Sequence, residues 1–129
     1  MELPLVEIEA SHQLRLLNRT KGVVLAERVR LALTSGSRMR GLLGSTPLSL
    51  DEAMLIRPCN GVHTMFMRYT IDVLFIDSAG KIVAKRPELR PWRISAIISD
   101  AHSTIELQAG VVASSGTDVG DLVAFEALQ

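Results

Sequence analysis

At 129 residues the chain is long enough for one domain with a real hydrophobic core and too short for two ordinary ones. Apolar residues make up 47% and charged residues 22%, which excludes a disordered chain, and no apolar run approaches the ~20 residues of a bilayer-spanning helix. Net charge is zero but lopsided. Fourteen Lys and Arg lie at or before Arg93 with nine acids, and five acids with no base follow, which predicts two ends that pack together and neutralise each other.

Taken in chain order, "MELPLVEIEA" carries three glutamates and no basic stretch, so it does not read as a signal peptide, and a cytoplasmic location is expected. "QLRLLNRTKGVVLAERVRLALT" is two strand-like runs about Thr20-Lys21-Gly22, a hairpin signal. Leu14 and Leu16, then Val29, Leu31 and Leu33, alternate with polar residues as half-buried strands do. Ser35-Gly36-Ser37 offers an N-cap for a short helix over "RMRGLLG", stopped at Gly44. "EAMLIRP" is a strand, and "IDVLFID" is a strand buried on both faces. Asp77-Ser78-Ala79-Gly80 turns the chain into "KIVAKR". "ISAIIS" and "STIELQ" follow as strands, "AGVVASSG" as one short helix, and "LVAFE" as the last strand. The expected fold is mainly β, a compact antiparallel barrel or rolled sheet with one or two short helices, in a single domain over residues 1–129.

The stretch "PCNGVHTMFMRYTIDVLFID" concentrates the reactive side chains. Asn60-Gly61 is a strong type I′ hairpin signal, and a tight turn there sets Ile56 against Met65 and Met54 against Met67. One face then carries Met54, Ile56, His63, Met65 and Met67, and the other Leu55, Arg57, Cys59, Thr64, Phe66 and Arg68. This register parts Cys59 from His63, against a thiol–imidazole dyad, which needs the two within hydrogen-bond reach. It also gathers His63, Met65 and Met67 into a soft set suited to Cu(I), although inward methionines on a strand are ordinarily core. Arg68 and Asp72 would lie about 13 Å apart in a continuous strand, and a bend at Tyr69-Thr70 would bring them together. As a structural pair they stabilise the fold. As a pocket lining, Arg68 supplies an anion donor with Cys59 and Thr64 on its face. Glu106, between apolar neighbours, is expected to pair with an arginine, and His12 and His102 read as surface residues.

Several classes find no support. "GVVASSGTDVGD" lacks the Lys-Ser/Thr of a phosphate loop, there is no Gly-x-Ser-x-Gly elbow, and one cysteine excludes an intramolecular disulfide framework. "KRPELRPWR" sets four bases about Trp92 without a nucleic-acid motif, so nucleic acid is not an expected partner.

In order, "LLNRTKGVVLAERVRLALT", "SRMRGLLGS", "PCNGVHTMFMRYTIDVLFID", "LRPWR", "IELQAG" and the late "VGD" resemble the domain-of-unknown-function family 192, small prokaryotic proteins, over Leu14 to Phe125. The resemblance implies a compact β-rich fold and marks Arg40, Gly41, Leu42, His63, Thr64, Met67, Arg68, Asp72, Gly110, Gly120 and Asp121. Gln108 departs from the proline common there, many relatives look exported, and the family brings no enzyme class. The resulting expectation is a non-catalytic module that binds a small molecule or a protein through Cys59, Thr64, Arg68 and Asp72, with no cofactor, no metal and no membrane span. The alternatives are an enzyme using Cys59 or Asp72, and a copper protein using His63, Met65 and Met67.

Overall fold

The computed structural model describes residues 1–34, 47–62, 64, 67–95 and 97–128. Among these, strands β1 (Glu2–Leu3), β2 (Leu14–Asn18), β3 (Val23–Ala26), β4 (Arg28–Ala32), β5 (Glu52–Ile56), β6 (Ile71–Ile76), β7 (Ile82–Leu89), β8 (Ser103–Gln108) and β9 (Val123–Ala127) form two sheets. One sheet runs β1-β9-β2-β3 and the other β4-β5-β8-β6-β7. A single-turn 3-10 segment, Leu5–Glu7, and one α-helix, α1 (Val111–Ser115), complete the described elements. The fold is mainly β, as expected, but neither sheet closes into a barrel. The expected helix over residues 38–44 lies outside the described residues.

The β2–β3 hairpin forms where the sequence places it. Gly22 takes φ +68°, a left-handed conformation that glycine adopts without steric cost, and Leu17 pairs with Val24. After β3 the chain changes sheets at Glu27, and β4 pairs with β5 in parallel, an arrangement that requires the long crossover through residues 33–51. All six residues of β6 are buried, because β8 and β7 flank its edges and apolar side chains cover both its faces. Asp77 turns the chain into β7, its Oδ1 accepting the amides of Ala79 and Lys81. A Cβ on Gly80 would lie 2.7 Å from the Val123 carbonyl oxygen, so strand β9 leaves room only for glycine there.

Two cores result. The inner one lies between the sheets and gathers Leu14, Leu16, Leu25, Leu55, Leu74, Ile76, Ile105, Leu107, Val112 and Phe125. The outer one lies on the opposite face of the five-stranded sheet and contains Met54, Ile56, Met67, Ile71, Val73 and Phe75, with Cys59, Val62, Tyr69 and Ile98 packed against it. Three ion pairs tie the basic part of the chain to the acidic end: Lys21 to Asp121 and Lys85 to Asp118, each at 3.0 Å, and Arg15 to Glu126. The expected mutual neutralisation of the two ends is therefore built into the fold.

The Asn60-Gly61 hairpin does not form. Both edges of β5 are occupied, Met54 pairing with Arg30 and Glu106, and Ile56 with Ala32 and Thr104, so no edge remains for residues 62–67. The chain instead leaves β5 and runs beside the segment after β7. Ser95 donates to the Val62 carbonyl at 2.9 Å, Ile98 to Asn60 at 2.8 Å and Cys59 to His102 at 2.9 Å. "ISAIIS" is this irregular partner and contains no regular strand among its described residues.

Candidate functional site

The two loops that cross the outer face, the described residues of 57–70 and 90–102, carry three of the four residues that the sequence singles out. Thr64 is the clip between them. Its hydroxyl donates to the Arg90 carbonyl at 2.5 Å and accepts the Arg93 amide at 2.9 Å, while its own amide donates to the Arg93 carbonyl at 2.7 Å. Cys59 is half-buried against the outer core. Its thiol donates to the Gly61 carbonyl at 3.1 Å, and its carbonyl accepts the Thr104 hydroxyl at 3.1 Å. Arg68 is exposed and makes no ion pair among the described residues.

Asp72 goes elsewhere. It alternates with Ile71 and Val73 on β6, so its carboxylate enters the inner side of the sheet and is fully buried. Oδ1 accepts the Glu88 amide at 2.8 Å, and Oδ2 accepts the amides of Gly110 at 3.1 Å and Val112 at 2.8 Å. Gly110 has φ +98° at the start of α1, so Asp72 caps that helix from a neighbouring strand. Arg68 and Asp72 are not a pair, and Asp72 does not share a face with Cys59. Asp121, another family-marked carboxylate, also has a tying role. It accepts Asn18 Nδ2, the Asp118 amide and Lys21 Nζ, each at 3.0 Å, and these bonds, Asn18's first, hold its pKa down at about 2.

Glu106 is different. It lies at the centre of β8, and the cross-strand register places Arg30, Met54, Glu106, Val73 and Arg86 in one row across all five strands, on the outer face. Arginines thus end the row on both edge strands, but neither neutralises the glutamate among the described residues. Arg30 is held by Glu52 at 3.0 Å, and an Arg86 nitrogen donates to the Lys85 carbonyl at 2.8 Å. Glu106 is 5% exposed, its Oε2 has no hydrogen-bond partner among the described residues, and burial pushes its carboxyl up to about 7. The Tyr69 hydroxyl is likewise buried without a partner among the described residues. Burial raises the Tyr69 pKa, the Glu106 charge adds to this and Arg30 opposes it, so the three groups share one electrostatic neighbourhood.

The expected arginine partner of Glu106 is therefore absent among the described residues. Tyr69 carried no sequence signal beyond its position after Arg68. The row was not legible from the strand alone, since Glu106 alternates with Ile105 and Leu107 as a solvent-facing residue of a half-buried strand would. Of the soft set, Met67 and Met54 are packed in the outer core, while His63 and Met65 lie outside the described residues.

Residues 16–125 match the profile of domain-of-unknown-function family 192, described as an uncharacterized ACR. A UPF0127 protein of Thermococcus sibiricus is 34% identical over 86% of this chain and 74% of its own length. A UPF0127 protein of Pyrococcus furiosus is 33% identical over 82% of this chain and 93% of its own. Among solved structures, a Novosphingobium aromaticivorans protein of unknown function superposes with a TM-score of 0.74 at 21% identity, covering 86% of this chain and 82% of that one. A Sinorhizobium meliloti protein, named as a candidate transcription regulator, superposes at 0.72 with 26% identity, covering 94% and 97%. The match over most of the chain, together with these relatives, makes the protein a member of family 192.

Proposed function

We propose that the protein is a non-catalytic binding module whose small polar ligand is held on the outer face of the five-stranded sheet, beneath the loops over residues 57–70 and 90–102. The observation that carries this reading is the pair of buried polar groups on that face, Glu106 Oε2 and the Tyr69 hydroxyl, that have no partner among the described residues. A buried polar atom left without a partner costs about 1–3 kcal/mol, and a ligand bearing a hydrogen-bond donor would recover that cost on binding. In this reading Thr64 and Cys59 hold the two loops in place, Arg68 stands at the exposed rim to meet an anionic group of the ligand, and Asp72 fixes the floor from the inner side. A lone half-buried thiol suits a reducing compartment, and the proposal places the protein in the cytoplasm.

Catalysis by Asp72 or Cys59 has less in its favour. The Asp72 oxygens are engaged by three backbone amides, and the Cys59 thiol is a donor to Gly61, with neither aimed at an accessible reacting atom. A nucleic-acid role, which the Sinorhizobium protein's description would suggest, calls for a continuous basic stripe, whereas ion pairs neutralise Lys21, Lys85 and Arg15.

The test is a thermal-shift panel of small amines, amino acids, alcohols and nucleosides against wild type, Glu106→Gln and Arg68→Gln. A ligand of this site raises the melting temperature of wild type in proportion to the logarithm of its concentration and loses that effect in Glu106→Gln. A panel that stabilises wild type and Glu106→Gln equally would remove the site.

A further inference from the structure

The loop that closes this face also carries the most exposed run of large apolar side chains among the described residues. Trp92 is 53% exposed, and Ile94 and Ile97 are each 75% exposed, while Ser95 and Ile98 of the same stretch turn inward. This presentation is held firmly. Trp92 and Ser95 donate backbone hydrogen bonds to Thr64 and Val62, Ile98 donates to Asn60, and Trp92 sits at φ +64°, a conformation a bulky residue keeps only when its surroundings impose it. The charges nearest the apolar run are basic, and the acids Glu88 and Asp100 stand exposed at its outer ends. Arg90 and Arg93 are exposed on the loop, Arg68 is exposed just beyond the Thr64 clip, and none of them has an ion pair among the described residues. No acid lies between Arg90 and Ser99.

We infer that this loop docks the protein on an anionic lipid surface, with Trp92, Ile94 and Ile97 entering the headgroup region and Arg68, Arg90 and Arg93 meeting lipid phosphates. The side-chain chemistry selects that occupant. Tryptophan favours the membrane–water boundary, where an amphipathic ring has both apolar and polar surroundings. Two projecting isoleucines find an apolar medium there. Single-stranded nucleic acid would reward further aromatic faces for stacking, and this loop supplies only one. A protein partner of ordinary size would cover about 800 Å² on each side, a broad surface, whereas these three prongs rise from six consecutive residues. No helix among the described residues is long and apolar enough to cross a membrane, so the contact proposed is peripheral.

Trp92 is the only tryptophan in the chain, and its emission therefore reports the loop alone. Wild type is titrated with phosphatidylcholine vesicles, with and without phosphatidylglycerol, and binding is read by the blue shift of Trp92 emission and by co-sedimentation. The expected result is partition onto the phosphatidylglycerol vesicles that weakens with added salt. An Arg90→Gln/Arg93→Gln variant should bind on the order of tenfold or more weakly, since each arginine near an anionic surface contributes to the attraction. An Ile94→Ser/Ile97→Ser variant should lose the blue shift with an unchanged circular dichroism spectrum, because both side chains already face solvent. Equal binding to vesicles lacking phosphatidylglycerol, or no binding to either, overturns the inference. So does a Trp92 response to a single-stranded oligonucleotide or an acidic peptide but not to vesicles, which would assign the loop to that partner instead. A failure here leaves the Glu106 ligand site standing, since the panel above uses no lipid.

Discussion

Asp72 and Glu106 stand one register position apart on the neighbouring strands β6 and β8, Asp72 opposite Leu107 and Glu106 opposite Val73, and their carboxyl groups go to opposite faces of the sheet. Both are buried, but the inner one accepts three backbone amides, and the outer one has an oxygen with no partner among the described residues. This contrast between a hydrogen-bonded carboxylate and a neighbouring one left unsatisfied is what the proposed ligand site rests on.

Replacement of Asp72 by Asn should destabilise the protein by about 2–4 kcal/mol, because charge-assisted bonds to the start of α1 and to Glu88 are lost in a buried site. Arg68→Gln should change stability by less than about 0.5 kcal/mol, as exposed side chains away from such features do. Urea denaturation of both single variants and the double variant should give additive losses. A double variant markedly more stable than that sum would mean the two residues are coupled after all.

Glu106 sets a dependence on the alkaline side of its unfolded value. Its carboxyl, near 4.5 when unfolded, is raised to about 7 by burial. Between those values the unfolded chain releases a proton that the folded protein keeps, so stability falls as pH rises through that window and levels off above it. The fall attributable to this group is roughly 3 kcal/mol. Glu106→Gln should lack it, and paired thermal melts from mildly acidic to mildly alkaline pH measure the difference.

Asp121 acts with the opposite sign. Hydrogen bonds from Asn18 and the Asp118 backbone, with Lys21, hold its pKa at about 2, so its contribution is present above the ordinary carboxylate value and is lost as pH falls through about 2. In Asp121→Asn the gap in urea midpoint between neutral pH and about pH 3 should narrow relative to wild type. An unchanged gap would show that other groups drive acid unfolding.

Local patterns carried most of the fold. The β2–β3 hairpin, the wholly buried β6, the Asp77–Gly80 turn, β8 and the short helix after Gly110 all follow from alternation, apolar runs and turn chemistry. The errors came where pairing is decided at long range. Asn60-Gly61 carries the local signature of a tight hairpin, but β4 and β8 already occupy both edges of β5, and a local signal cannot reveal that competition. "ISAIIS" bonds instead to the irregular segment at Asn60 and Val62, a long-range partner its own alternation does not reveal. The site was legible only in part. Thr64 and Asp72 stood out, but their roles depend on which backbone groups meet them, Arg90 and Arg93 for one and α1 for the other. Glu106 alternates with Ile105 and Leu107 as an ordinary solvent-facing charge would, and only the five-residue row across the sheet shows that it is buried there with both edge arginines engaged elsewhere.

The most direct measurement is a carboxyl-carbon NMR titration of Glu106, assigned by comparison with Glu106→Gln, in the free protein and with a ligand identified by the thermal-shift panel. The free protein should show a midpoint near 7, and a bound donor should move that midpoint by about one pH unit or more, since a partner for the carboxylate favours its charged form. A midpoint at the ordinary glutamate value near 4.5 in the free protein, or one that stays in place while the ligand is bound, would contradict the account.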